Sequence, residues 1–164
     1  MGEDEGRVAL FVTWTVTRTD ALRGCIGNLS EIDVATGLKE YALRAARDSR
    51  FEPITLAELP TLTCSVSLLG GFEPAAGWND WVVGRHGIIL KVAVNGRNFS
   101  ATYLPEVAEE QGWDHRQAIL SLLAKAGVDK RSVSEALFPA VNITRYTSSK
   151  CSLTYEQWTR SFKA

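Results

Sequence analysis

Asn95-Gly96 separates two strand-like runs, Gly87 to Val94 and Arg97 to Leu104. Both residues of that dipeptide tolerate positive φ, so they close the tight turn whose twist matches a pair of antiparallel strands. A second pair of runs imposes the same constraint. Val8, Leu10, Val12, Trp14 and Val16 fall on one face of a segment, while Thr13, Thr15 and Thr17 share the other. That is the period-2 pattern of a half-buried strand. RTDA then turns the chain, and Leu22 to Leu29 returns as its antiparallel partner. Two hairpins of this kind confine the chain to a mainly antiparallel sheet.

Helices are expected around that sheet. Asp33 caps a helix whose stripe is Val34, Leu38, Ala42 and Ala45, with Lys39, Glu40, Arg44, Arg47 and Asp48 outside it. Pro53 ends it, because the residue before a proline is driven out of helical geometry. Leu62, Cys64, Val66 and Leu68 form one face of a further strand, whose other face shows Thr63, Ser65 and Ser67, a polar set for a buried strand. GGFEPAAGWNDW has loop chemistry throughout. Pro105 opens a short helix, with Glu106, Glu109 and Glu110 at or near its positive end and Gly112 stopping it. Asp114 with Gln117 is a capping-box pattern for another helix, whose Ile119, Leu122, Leu123 and Ala126 face inward before Gly127. Val141, Ile143 and ITRY give a last strand. Without a regular βαβ alternation, the expected class is α+β: a mainly antiparallel sheet with flanking helices.

Composition narrows the functional classes. A chain of 164 residues supports one core or two small lobes. A net charge of −1 supplies no basic field for nucleic acid or anionic lipid. No apolar run is long enough to span a bilayer. The start, MGEDEGRVALF, is acidic where a signal peptide is basic, and Gly6 stands where a myristoylation motif wants a hydroxyl residue. Cys25, Cys64 and Cys151 are an odd number with no close pair, which fits reduced thiols in the cytoplasm or nucleus.

Residues 22–27, LRGCIG, hold the densest candidate chemistry. A glycine inside a strand marks a bulge or a close backbone approach, and Gly24 and Gly27 bracket a thiol. What approaches is either a ligand or another part of the chain. Cys25 is a nucleophile if a nearby cation depresses its pKa, with Arg23 on the same face of a regular strand; otherwise it is a small buried hydrophobe. His86, between Gly84 and Gly87, suits acid–base work, or it is a turn residue whose imidazole satisfies a backbone carbonyl. His115 belongs to the first turn of its helix, as a surface or capping residue. Arg44, Arg47 and Arg50 recur at helical spacing, either tracking phosphates or forming a solvated face. GCIG matches the glycine loop of a KH domain in letters only, since it lies in a strand. No metal site is expected, because no C-x-x-C or H-x-x-x-H spacing occurs, and no P-loop or Rossmann fingerprint implies a cofactor.

LRGCIG, DSRFEPI, ELPTLTCSVSLL, DWVVGRHGI, SATYLPEVAEEQGWD, LLAKAG and ITRY follow one another in this order. With them the chain resembles the AMMECR family, closest to its eukaryotic branch, from about Leu10 to Trp158. The resemblance implies a single domain over residues 1–164, with residues 1–7 a disordered or truncated N-terminus. It further implies a cytosolic or nuclear α+β protein with two unequal lobes and a cleft lined by LRGCIG. The family's biochemical activity is not established; Memo-like and radical-SAM proteins are its implied pathway partners. Motif positions carried over are Arg23, Gly24, Cys25 and Gly27, with Arg50, Ser65, Ser67, His86, Gly87, Ser100, Tyr103, Glu106 and Arg145. Asn28 departs from the family, which commonly has a hydroxyl residue after LRGCIG. The expected function is a cleft enzyme with Cys25 as thiol and His86 and Glu106 as proton carriers. Arg23 and Arg50 anchor an anionic substrate, Gly24 and Gly27 give access to the backbone, and Ser65, Ser67, Ser100, Tyr103 and Arg145 complete the binding set. The alternative is a protein-binding adaptor or a nucleic-acid-related module without chemistry.

Overall fold

A computed structural model describes residues 6–161; most of the 1–7 stretch lies outside the described residues. Strand β1 (Arg7–Val16) pairs antiparallel with β2 (Leu22–Asp33) on one side and with β3 (Leu62–Pro74) on the other. Strand β4 (Gly87–Val94) lies between β5 (Arg97–Tyr103) and β6 (Asn142–Thr154), again antiparallel. The strand order is β2-β1-β3-β6-β4-β5. Helices α1 (Val34–Ala46), α2 (Pro105–Gln111), α3 (His115–Lys125) and α4 (Tyr155–Ser161) complete an α+β architecture. The chain divides into two compact units: Met1–Leu69 with Ser149–Ala164, and Gly70–Ser148.

In the first unit α1 covers the apolar face that alternation assigned to β1. Leu10, Val12, Tyr41 and Ala45 are buried there, with Trp14, Ile26, Cys64 and Val66 packed around them. Each fully buried aliphatic side chain contributes roughly 1.5–3 kcal/mol. Asp33 accepts the Thr36 amide at 2.9 Å, which caps α1 as expected. The Trp14 indole donates to the Ala42 carbonyl at 3.0 Å, fastening strand to helix.

The second unit has its own core. Ile88, Leu90 and Val92 of β4 meet Ala118, Ile119, Leu122 and Leu123 of α3, with Trp81, Phe138 and Ile143. Asn95 and Gly96 take φ of 51° and 76°, the turn that their chemistry demanded. The capping box is present: Asp114 accepts from the Gln117 amide at 2.8 Å, and Gln117 accepts from the Asp114 amide at 3.0 Å.

Several expectations are corrected. GGFEP is the last five residues of β3, because pairing with β6 overrides the turn chemistry of its glycines. The final strand runs on to Thr154, and α4 follows it. Helix α2 has only 7 residues, so Glu106 alone occupies its first turn. Arg44 lies in α1, but Arg47 is the residue that caps it and Arg50 lies beyond. Asp48, expected on the outside, is buried at 4% exposure.

The bracketing glycines acquire a steric reason. A Cβ on Gly24 would fall 1.9 Å from the Ala45 carbonyl oxygen at the end of α1. One on Gly27 would fall 2.4 Å from the Phe11 ring. The chain's own atoms fill both places. Gly24→Ala is therefore expected to cost about 2 kcal/mol or more, as forced overpacking does. Gly70→Ala, with nothing within 4 Å of the added carbon, stays within about 0.5 kcal/mol of the parent. Urea titrations of both variants check the contrast.

Candidate functional site

Near its turn the β1–β2 hairpin slips register. Trp14 faces Gly24 but Thr15 faces Leu22, which leaves Arg23 in a bulge. From there Arg23 donates to a Glu58 carboxylate oxygen at 2.7 Å and to the Glu52 carbonyl at 3.1 Å. The Arg23 hydrogen bond, followed by one from the Thr55 amide, holds the Glu58 carboxyl below its ordinary range. The anion that Arg23 engages belongs to the chain itself.

Regular pairing resumes at Gly24, and Cys25 stands opposite Thr13. The Thr13 hydroxyl donates to Cys25 Sγ at 3.2 Å. On the outer side of β2, the Cys25 amide donates to Asp48 Oδ2 at 3.0 Å, and Arg50 Nη2 donates to the Cys25 carbonyl at 3.4 Å. Strand β2 ends the sheet, so among the described residues its outer edge has no neighbouring strand. At Cys25 an aspartate and an arginine supply the acceptor and donor that another strand would bring. Arg50 in turn grips Asp48 with its amide and Nε, both at 3.1 Å, and with Nη2 at 2.7 Å. The Asp48 side chain is only 2% exposed. Arg50's side-chain hydrogen bond, ahead of the Cys25 and Arg50 amides, overcomes that burial and holds the carboxyl far below the usual carboxylate range. Asp48 also raises the Arg50 pKa.

Sequence reasoning missed Asp48, although one signal was available. A carboxylate just past a helix C-terminus opposes the helix dipole, so it calls for a partner. Arg50 is that partner.

The Cys25 side of the sheet carries a row of hydroxyls. Register aligns Cys25 with Thr13 and Thr13 with Ser65, and Ser65 Oγ lies 2.8 Å from Ser152 Oγ on β6. In the next row Gly27, Phe11 and Ser67 align. Ser67 is 1% exposed, and its hydroxyl has no hydrogen-bond partner among the described residues.

His86, Glu106, Ser100, Tyr103 and Arg145 belong to the second unit. His86 Nδ1 accepts from the Val82 amide at 2.9 Å, so the ring satisfies an N–H where a carbonyl was expected, and the neutral ring carries its proton on Nε2. Burial first, then the Arg145 and Arg85 charges, lowers the His86 pKa. Arg145 holds Glu73 at 2.8 Å and the Asp80 carboxylate at 3.1 Å. His86 and Tyr103 line one crevice with Trp81 and Pro105, and it has no room for a water-sized molecule. The Tyr103 hydroxyl pairs with Ser121 Oγ at 2.7 Å. Ser100 is exposed on β5 opposite Lys91, and Glu106 is half-buried at the start of α2. His115 is tied inward rather than free on the surface: Nε2 lies 2.6 Å from the Trp81 carbonyl. No cluster of three or more histidine, cysteine or carboxylate side chains suited to a metal occurs among the described residues.

Fold and site together define an α+β protein whose LRGCIG strand is clamped by a buried carboxylate. The family model described as AMMECR1 matches residues 3–151, and the chain belongs to that family. An uncharacterized protein of Arabidopsis thaliana is 43% identical over 167 residues, covering 98% of this chain and 78% of the other. One from Schizosaccharomyces pombe is 42% identical over 140 residues, covering 84% and 69%. The crystal structure of an uncharacterized protein from Pyrococcus horikoshii superposes with a TM-score of 0.75 at 28% identity, over 90% of this chain and 74% of that one. No helix among the described residues is long and apolar enough to cross a membrane.

The clamp makes stability depend on acid. Asp48's carboxyl is depressed below 3.8 in the folded state, so its contribution is complete above that value and is lost as pH falls beneath it. Asp48→Asn is expected to cost about 2 kcal/mol at neutral pH, as losing a charged partner of a buried group does. The variant should also lose less stability than the parent between neutral and acid pH. Urea midpoints across that range measure both effects.

Proposed function

We propose that the protein is a thiol-dependent enzyme in which Cys25 is the nucleophile. The observation that carries this reading is the Thr13 hydroxyl donating to Cys25 Sγ at 3.2 Å. A thiolate is the reactive form of cysteine, and a hydroxyl donor with a guanidinium nearby is an environment that sustains one. Arg50 supplies the guanidinium, bound to the carbonyl of the same residue. Its side chain is 55% exposed, which leaves donors for an anionic substrate. Asp48, holding the Cys25 amide, fixes where the sulfur stands. The chemistry belongs to the cytoplasm or nucleus, where thiols stay reduced. Memo-like or radical-SAM proteins are its proposed pathway partners.

The three thiols provide the test. Cys151 is exposed, and burial pushes the Cys64 thiol up to about 11. With a small thiol reagent such as methyl methanethiosulfonate at neutral pH, Cys25 should react faster than Cys151, and Cys64 slowest. Thr13→Val, which removes the hydroxyl and keeps the shape, should slow Cys25 several-fold. Cys25 reacting no faster than Cys151 would reject the enzyme reading in favour of a binding module, for which the thiol is a packing residue.

A further inference from the structure

A depression of about 380 Å³ opens at the carboxyl end of α1, lined by Ile26, Leu43, Arg44, Arg47, Asp48 and Ser49. Its volume falls in the range of small-ligand sites. One wall is apolar: Ile26 packs toward the α1 core, and Leu43 is 54% exposed. The opposite requirement is met by charge. Arg47 has no acceptor on its guanidinium among the described residues. Arg44 is paired at 2.6 Å with Glu40, an exposed i,i+4 contact that is exchanged at little cost. The Asp48 carboxylate contributes no free negative charge, since Arg50 and the Cys25 amide already engage it. Ser49 adds a hydroxyl.

Last-turn arginines complement a helix dipole, and that alone explains Arg44. It does not explain an uncommitted guanidinium and a hydroxyl around a hollow with an uncovered leucine. We infer that this depression is a binding site for a small organic phosphate, the phosphate held by Arg47, Arg44 and Ser49 and its apolar group seated on Leu43 and Ile26. Guanidinium groups suit a phosphate because their paired donors match its oxygens. The depression and the proposed nucleophile share Asp48 but lie on different faces of β2. Ile26 follows Cys25 in the strand, so its side chain leaves β2 on the other face.

Phenyl phosphate is the probe, titrated into the full chain at physiological salt and followed by amide chemical shifts. Shifts should concentrate at Leu43, Arg44, Arg47, Ser49 and Ile26. Inorganic phosphate should bind about tenfold more weakly, since it lacks the apolar group. Arg47→Gln should weaken phenyl phosphate by about tenfold or more while its spectrum stays that of the folded parent. Cys25→Ser should bind as the parent does, whether or not Cys25 proves reactive. Absence of shifts in this cluster, equal binding of inorganic phosphate, or unchanged affinity in Arg47→Gln would each overturn the inference; the first is read on the parent protein and needs no variant to fold.

Discussion

Asp48 is the residue on which the LRGCIG strand depends. Its carboxylate takes the Cys25 amide on one side and the Arg50 guanidinium and amide on the other. Removing a carboxylate from water costs several kcal/mol unless hydrogen bonds replace its hydration, and here four donors do so. The result is a fixed distance between the end of α1 and the edge of β2. Gly24 makes that distance possible, because any side chain there would meet the Ala45 carbonyl. Carboxylate and glycine are two halves of one contact.

Motif segments far apart in sequence meet in this way. LRGCIG and DSRFEPI are joined through the Asp48–Cys25 bond. In the second unit, DWVVGRHGI and ITRY are joined through Asp80 and Arg145. Arg145 also holds Glu73, so a single guanidinium secures β6 to β3 and to the segment before β4. Both junctions pair an arginine with an aspartate, but only the first is buried, and only the first touches a thiol.

What was legible in the sequence was what neighbours determine. The Asn95-Gly96 turn, the Asp33 cap, the Asp114–Gln117 box and the β1 alternation depend on contacts within a few residues, and all are present. The tie between Asp48 and the strand was illegible because the Cys25 amide lies 23 positions away, while local periodicity placed Asp48 among the solvated residues of α1. Gly70 and Gly71 read as a loop for the same reason: only β6 reveals them as strand, with the Thr147 hydroxyl donating to the Gly70 carbonyl at 3.2 Å. The glycines of LRGCIG were legible as a close approach, but not as an approach by α1 and Phe11. The sequence pointed to Cys25 as a candidate, and the contacts that surround it came from the structure.

The two units also differ in how they use the chain. The second is one continuous segment, Gly70–Ser148, whereas the first needs Ser149–Ala164 to be complete. During synthesis the continuous unit has all its residues at hand before the first receives its last strand. Until the end of β6 emerges from the ribosome, the first-unit half of β3 has β1 on one side and an open edge on the other. At translation rates of roughly 5–20 residues per second that exposure lasts on the order of seconds. Val66 and Leu68 lie along that edge, so a nascent chain of this protein offers chaperones a binding window that the finished protein closes.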